Sequence, residues 1–501
     1  MPETSHNLPS TKDHTFLRYL LTVKRNHLLI AILSIVIQFI FLKTLFPYPN
    51  FIKDSHSYLA VAILNADVGE WPIGYSKFLL LFHHLTNSGT ALTFFQFFLL
   101  ETAVLYFVFT IEFILKPAKH LSNILFAILL YNPLFLLISN YISSDALFTA
   151  LSFLWITQIC WTVYRPSMTS TALHAVILLL AFTVRYNALY YPLISVLAYI
   201  LCPLQWWAKI TGILLPLLLI SCFVYYTSSK NAELTGKSQF SAFGGWQIAN
   251  NALNMYGHVK KNALHSNPSE LFELDSFTRS YFDHSKNYNY FVIGAGTYFL
   301  WSRDAPLRQY LDYTWQKDSS NDYFKKWVSM GPLYSAYGFY LIKQYPFAYL
   351  KYFIWPNVNN YLLPPLESLN VYNDGTHTSD PITQNWFGYK SNAINHPYKG
   401  FYMSILNYYP VLAAFITLCF LLGITGFFLF NGLKVSERKL TNLILIIASL
   451  WFINFLFSIF SSPIVFRYQI FALFVVLPFS FLLLDFLHRS KPKNKPDPVL
   501  L

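Results

Sequence analysis

Ten apolar runs constrain this chain more than any other feature. They fall at roughly 27–46, 90–115, 121–140, 145–163, 170–184, 188–204, 208–227, 406–431, 441–460 and 467–487. A helix needs about 20 apolar residues to cross the hydrocarbon layer of a bilayer. In lipid the backbone must satisfy its own hydrogen bonds, so such runs fold as helices. The sequence therefore predicts an all-α polytopic membrane protein with about ten transmembrane helices. The fifth and sixth runs are short and flank Arg185-Tyr186-Asn187. They read either as two spans or as one long broken helix.

Composition fits this reading. Of the 501 residues 55% are hydrophobic and only 12% are charged, about half the ~25% usual for soluble domains. The net charge of +12 could suggest a nucleic-acid partner, but the Lys and Arg cluster beside apolar runs, which is a topology signal. Lys12, Arg18, Lys24 and Arg25 precede the first run and place the N-terminus inside. Counting crossings then puts Lys116 and Lys119, Arg165, Lys209, Lys434 with Arg438 and Lys439, and the tail from Arg489 on that same side.

The resulting organisation is a cytoplasmic N-terminal tail (1–26) and an N-terminal transmembrane module (27–227) with a first outer loop at 47–89. An extracytoplasmic segment of mixed or helical structure follows (228–405), then C-terminal transmembrane helices (406–487) and a basic cytoplasmic tail (488–501). The first run carries no small-residue cleavage site and reads as a retained helix. The stretch Tyr337–Trp355 is apolar but holds Lys343 and Lys351, so it is expected at the interface with its lysines snorkelling. The four cysteines, Cys160, Cys202, Cys222 and Cys419, show no ligand or disulfide spacing.

The residues with chemistry fall on the outer side. In the first outer loop, Asp54 precedes Tyr58, and Pro72 and Gly74-Tyr75 follow. A carboxylate there can act as a general base or can cap a short helix. Asp67 and Glu70 are weaker candidates in the same loop. Asp145, in Ser143-Ser144-Asp145, opens the fourth run and either caps it or binds a sugar or cation. Arg185 and Arg467 are placed against the positive-inside trend. A guanidinium in such a place wants an anion, either a lipid headgroup or a substrate phosphate. No DxD, no GxxxxGK[ST] and no HExxH motif is present, and His83-His84 reads as surface.

Taken together, Asp54, Tyr58, Pro72, Gly74-Tyr75, Asp145, Arg185-Tyr186 and Arg467-Tyr468 resemble the pattern of GT-C class integral membrane glycosyltransferases. The branch most similar is the bacterial one using polyprenyl-phosphate sugars, RgtA-to-D-like or aminoarabinose-transferase-like. The resemblance covers about residues 27–227, with Arg467-Tyr468 as a late echo; the Trp-Trp-Asp motif of oligosaccharyltransferases is missing. It implies a GT-C type helical bundle in the cell membrane with its active site on the extracytoplasmic face. It also implies a polyprenyl-phosphate-linked sugar donor, and a lipid, glycan or protein acceptor. Asp54 would be the base, with Asp145, Arg185, Arg467, Tyr58 and Tyr75 binding substrate. No cofactor and no protein-bound metal are implied, a divalent cation being left open, and no nucleic acid. Two other classes stay open: a lipid-linked glycan polymerase or ligase, and a lipid or sugar transporter. Glu101 and Glu112, alone among mainly apolar mid-helix positions, bear on the transporter reading.

Overall fold

The protein is described by a computed structural model covering residues 15–259, 269–284, 296–316, 322–367, 369–394 and 404–489. Most of the two expected cytoplasmic tail ends, including Lys12 and the lysines after Arg489, lies outside these residues. The described residues form helices and loops, with no strand beyond two isolated bridges. The expected mixed or helical segment is therefore helical where it is described.

In chain order the principal helices are α1 (Arg25–Leu45), α2 (Lys53–Ile63), α3 (Gly74–His83) and α4 (Gly89–Leu115). Next come α5 (Lys119–Ser139), α6 (Asp145–Tyr164), α7 (Met168–Val184), α8 (Tyr191–Leu201) and α9 (Trp206–Thr235). The segment beyond holds α10 (Ala242–Tyr256), α11 (Ser269–His284), α12 (Pro306–Thr314), α13 (Tyr323–Gln344) and α14 (Trp355–Leu362). The chain ends on α15 (Tyr409–Leu429), α16 (Arg438–Ser461) and α17 (Ile470–Arg489). Eight of these helices, α1, α4, α5, α6, α9, α15, α16 and α17, are long and apolar enough to cross a membrane. Large apolar side chains such as Leu29, Leu33, Ile37, Phe41, Phe415 and Leu422 are exposed on them. Apolar surface of this kind has no place in water and marks a multi-pass membrane protein.

The remaining two of the ten runs are the shorter helices α7 and α8. They do not make one long broken helix. His174 of α7 and Tyr199 of α8 lie with ring centroids 5.7 Å apart. In a continuous helix, at 1.5 Å per residue, they would be almost 40 Å apart. The chain reverses at Arg185, whose backbone is extended, and a 3₁₀ turn at Tyr186–Tyr190 completes the turn.

The basic helix ends meet at the end of the bundle opposite this turn. Lys24 pairs with Glu112 at 2.6 Å, Lys439 lies 4.5 Å over the Tyr164 ring, and the Asn442 amide donates to Leu201 O. Glu112 is thus accounted for by Lys24, whereas Glu101 is fully buried in α4 with neither carboxyl oxygen hydrogen-bonded.

Two hydrophobic cores organise the described residues. One runs through α1–α8 and α15–α17. The other is built by α10–α14 around Trp246, Trp327, Tyr334 and Tyr337, all fully buried. Its spine is the α10–α13 crossing, where the Trp246 indole donates to Trp327 O at 3.0 Å. Glycines allow the close approach: a Cβ on Gly245 would stand 2.0 Å from Gly331 O, and one on Gly338 would stand 2.7 Å from Ala249 N. Gly245→Val should therefore force these helices apart at a cost of about 1–3 kcal/mol and lower the melting temperature of the purified protein. Gly244→Ala, where an added Cβ meets nothing within 4 Å, should leave it unchanged. Equal melting of the two variants would contradict this packing.

Candidate active site at the Asp54 end of the bundle

The site begins with a short backbone pairing. After α1 the chain passes Asn50, which pairs in parallel with Tyr141. The Asn50 N–H donates to Asn140 O at 2.7 Å, and the Ile142 N–H donates to Asn50 O at 3.0 Å. Ser55 strengthens the join, accepting from the Ile52 N–H and donating to Ile142 O. The Tyr58 hydroxyl bonds Ser144 Oγ at 2.9 Å. These contacts lock the first turn of α2, which carries Asp54, against the start of α6, which carries Asp145.

Neither acid caps its helix. Asp54 stands in the first turn behind Ile52, and Asp145 follows Ser144, which makes no side-chain cap bond. Both carboxylates turn instead to arginine. Arg467 Nη1 reaches Asp54 Oδ2 at 2.8 Å and Asp145 Oδ2 at 3.7 Å. Arg185 Nη1 pairs closely with Asp145 Oδ1, and Ser143 Oγ donates to Asp145 Oδ2 at 2.9 Å. The Tyr468 ring lies between the two guanidinium groups, 4.9 Å from Arg185 and 5.3 Å from Arg467, in reach of cation–π attraction. The chain reversal at Arg185 thus brings both arginines to one end of the bundle, on a shared carboxylate.

A third carboxylate completes the cluster. Glu367 Oε2 lies 3.6 Å from Arg467 Nε; that buried N–H has no hydrogen bond. The Phe466 N–H donates to Pro365 O at 2.8 Å, so the strands of chain bearing Arg467 and Glu367 are fastened side by side. Glu367 has φ +54°, and Asn373 and Asp374 have φ of +50° and +48°. Non-glycine residues adopt this region at a cost and concentrate at functional sites. The Asn373 N–H donates to Asn50 Oδ1 at 2.6 Å, which ties this bend to the same anchor as Asp54.

Above the cluster opens a cavity of about 880 Å³, of the size of small-molecule sites. Asp54, Glu70, Glu367 and Asp374 line it, as do Lys53, Arg303 and Arg467. Its aromatic wall is Trp71, Phe243 and Trp301, with Trp71 ring centroids 4.9 Å and 5.7 Å from the other two. Arg308 braces Trp301 from behind, 5.6 Å over its ring. Burial holds the Glu70, Glu367 and Asp374 carboxyls above their ordinary values. The Arg467 guanidinium is held well above its ordinary value: burial acts against it, while Tyr468, Asp54, Asp145 and Glu367 outweigh burial.

Of the residues singled out from the sequence, Asp54 and Arg467 line the cavity, and so does Glu70. Asp145 and Arg185 lie beneath the floor as its paired support. Tyr58 and Tyr75 are buried behind it, packed edge to face at 4.9 Å. The Tyr75 hydroxyl donates to Gln96, whose amide holds Ser139 O and Tyr141 O. Asp67 sits apart, accepting from the Tyr226 hydroxyl, and His83 stacks on Trp386 at 4.0 Å. Glu367, Asp374, Phe243, Trp301 and Arg303 carry no signal of their own in the sequence. Among the described residues no three His, Cys, Asp or Glu are grouped to hold a metal ion.

Two measurements test this geometry. Asp145 and Arg185 are both nearly buried, and removing one partner of a buried pair costs about 3–5 kcal/mol. Asp145→Ala should therefore lower the melting temperature sharply, and Asp145→Leu combined with Arg185→Met should recover most of the loss. For Glu367, the raised folded value means the folded state holds its proton more tightly than the unfolded chain. That stabilisation is complete below the unfolded value near 4.5 and is lost as pH rises through the folded one. Glu367→Gln should thus match the parent at pH 4 and melt above it at pH 7. A parent that gains on the variant with rising pH would overturn the assignment. No protein-family model, no curated protein and no solved structure matches this chain.

Proposed function

We propose that this protein is a GT-C type membrane glycosyltransferase. It moves a sugar from a polyprenyl-phosphate donor to an acceptor hydroxyl at the outer face of the cell membrane, inverting the anomeric centre. The observation that carries this reading is the Asp54–Arg467 pair at 2.8 Å on the floor of a large polar cavity. A base for the acceptor and a cation for the leaving phosphate stand side by side there.

The chemistry balances as follows. An acceptor O–H lies against Asp54, which takes the proton as a new bond forms from that oxygen to the anomeric carbon. The anomeric C–O bond to phosphate breaks on the opposite face, and its electron pair leaves with the polyprenyl phosphate. The phosphate gains one negative charge while Asp54 loses one. Arg467, freed from a carboxylate that is becoming neutral, turns its bidentate donors to the phosphate that is becoming a dianion. Arg185 does not touch substrate in this scheme. It holds Asp145 and Tyr468, and through them the position of Arg467. The aromatic wall of Trp71, Phe243 and Trp301 offers apolar faces to a sugar ring. A polyprenyl-phosphate donor is already activated, which agrees with the absence of DxD and phosphate-loop motifs.

The test is mass spectrometry of surface glycans and lipids from cells carrying the parent gene, no gene, or single variants. Loss of the gene should remove one sugar mass from a surface species. Asp54→Asn should remove it as well, with the rate down by about 10²–10⁴-fold, while the protein still inserts into the membrane. Arg467→Gln should cost about 10²–10³-fold. Full activity of Asp54→Asn alongside an inactive Glu367→Gln would move the base to Glu367. Uptake of a lipid or sugar by reconstituted protein with no covalent product would instead favour a transporter.

A further inference from the structure

A second cavity of about 670 Å³ adjoins the first and shares Thr297, Glu367 and Pro463 with it. Its character is different. The first cavity is charged with both signs. Among the described residues the second is lined by Glu367, at the junction, by His258, and otherwise by amides, hydroxyls and apolar side chains. Lys351, the nearby cation, lies 4.9 Å over the Tyr352 ring and outside the lining.

The amides divide into two kinds. Asn357 is consumed in building the wall: it donates to Ile459 O and Ser462 O and accepts from the Ile464 N–H. Asn254 donates to Asn250 O and Gly296 O. Asn359 and Asn360, on α14, line the cavity, and neither side-chain amide is hydrogen-bonded to the described residues. Tyr352 also lines it, and its ring stacks flat on His258 at 4.1 Å. Neutral amides both donate and accept, as sugar hydroxyls do, and a flat ring beside them suits the apolar face of a pyranose. Among the described residues no Lys or Arg lines the cavity to meet a phosphate or carboxylate. Among the described residues no strand edge adjoins it to extend a peptide backbone.

We infer that this second cavity binds a neutral, hydroxyl-rich carbohydrate through Asn359, Asn360 and Tyr352, and presents one of its hydroxyls at the Glu367 junction to the first cavity. The inference rests on the transferase reading for its name of acceptor; the carbohydrate site itself does not depend on turnover. It selects the glycan class from among the lipid, glycan and protein acceptors.

The experiment uses full-length Asp54→Asn protein in lipid nanodiscs, without donor, on a printed array of neutral and anionic oligosaccharides. Synthetic peptides and phospholipid vesicles form the other arms. Neutral oligosaccharides should be retained, and Asn359→Leu with Asn360→Leu should weaken retention at least ten-fold. Both side chains lie outside the cores, so the double variant should melt as its parent does. Retention of peptides or vesicles alone, no neutral glycan retained, or retention indifferent to the asparagine pair would each overturn the proposal. Glycan retention by a protein that transfers nothing in the mass-spectrometric test would retire the transferase reading and leave this site standing. Transfer to a peptide or lipid would do the reverse.

Discussion

Every part of the site hangs on the buried ion cluster of Arg467, Asp54, Asp145 and Arg185. Charges taken out of water cost several kcal/mol each unless they are paired and hydrogen-bonded. Here Asp145 receives Arg185, Arg467 and Ser143, and Arg467 is shared among three carboxylates. Two arginines facing three acids leave the cluster one negative charge over when all are ionised. That surplus falls on Glu367, the most exposed of the three, whose carboxyl is held above its ordinary value by burial. The cluster therefore fixes four distant pieces of chain at one point: the loop after α1, the start of α6, the reversal after α7 and the entry to α17.

The spans were legible because lipid leaves the backbone few options. All ten apolar runs are helices, and their basic ends meet at one end of the bundle through Lys24–Glu112 and Lys439–Tyr164. Periodicity could not say whether the run before Arg185 and the run after it continue one helix or reverse. That was decided by packing, in the approach of His174 to Tyr199. Asp54, Asp145, Arg185 and Arg467 were legible as exceptions, being charges set beside apolar runs against the topological trend. Their pairing was not, since ion pairs between positions 40 residues apart (Asp145 and Arg185) or 413 apart (Asp54 and Arg467) leave no local pattern. Glu367, Asp374, Phe243 and Trp301 sit in a segment of weak periodicity, where an acid or aromatic residue on a cavity wall reads like any other. The resemblance implies Tyr58 and Tyr75 as substrate contacts; the structure has them behind the floor, bonded to Ser144 and Gln96.

If the proposed reading holds, the two cavities divide a bisubstrate problem by charge. Under the proposed reading the donor brings a phosphodiester, which belongs where arginine is, and the acceptor brings hydroxyls, which belong where asparagine is. Glu367 and Pro463 stand at the passage between them. Glu367 is bent into left-handed backbone and fastened beside the Arg467 segment through Phe466 and Pro365, so the junction cannot move independently of the floor.

This coupling gives the resting ion pair a role in the order of events. With no donor bound, Asp54 Oδ2 is engaged by Arg467 Nη1. A donor phosphate competes for the same Nη1 donor and for the unbonded Nε–H. As Arg467 turns toward the phosphate, Asp54 Oδ2 is released from its hydrogen bond and is open to accept one from a hydroxyl. Under the proposed reading, an acceptor hydroxyl from the second cavity therefore finds Asp54 unoccupied only when there is a donor to attack.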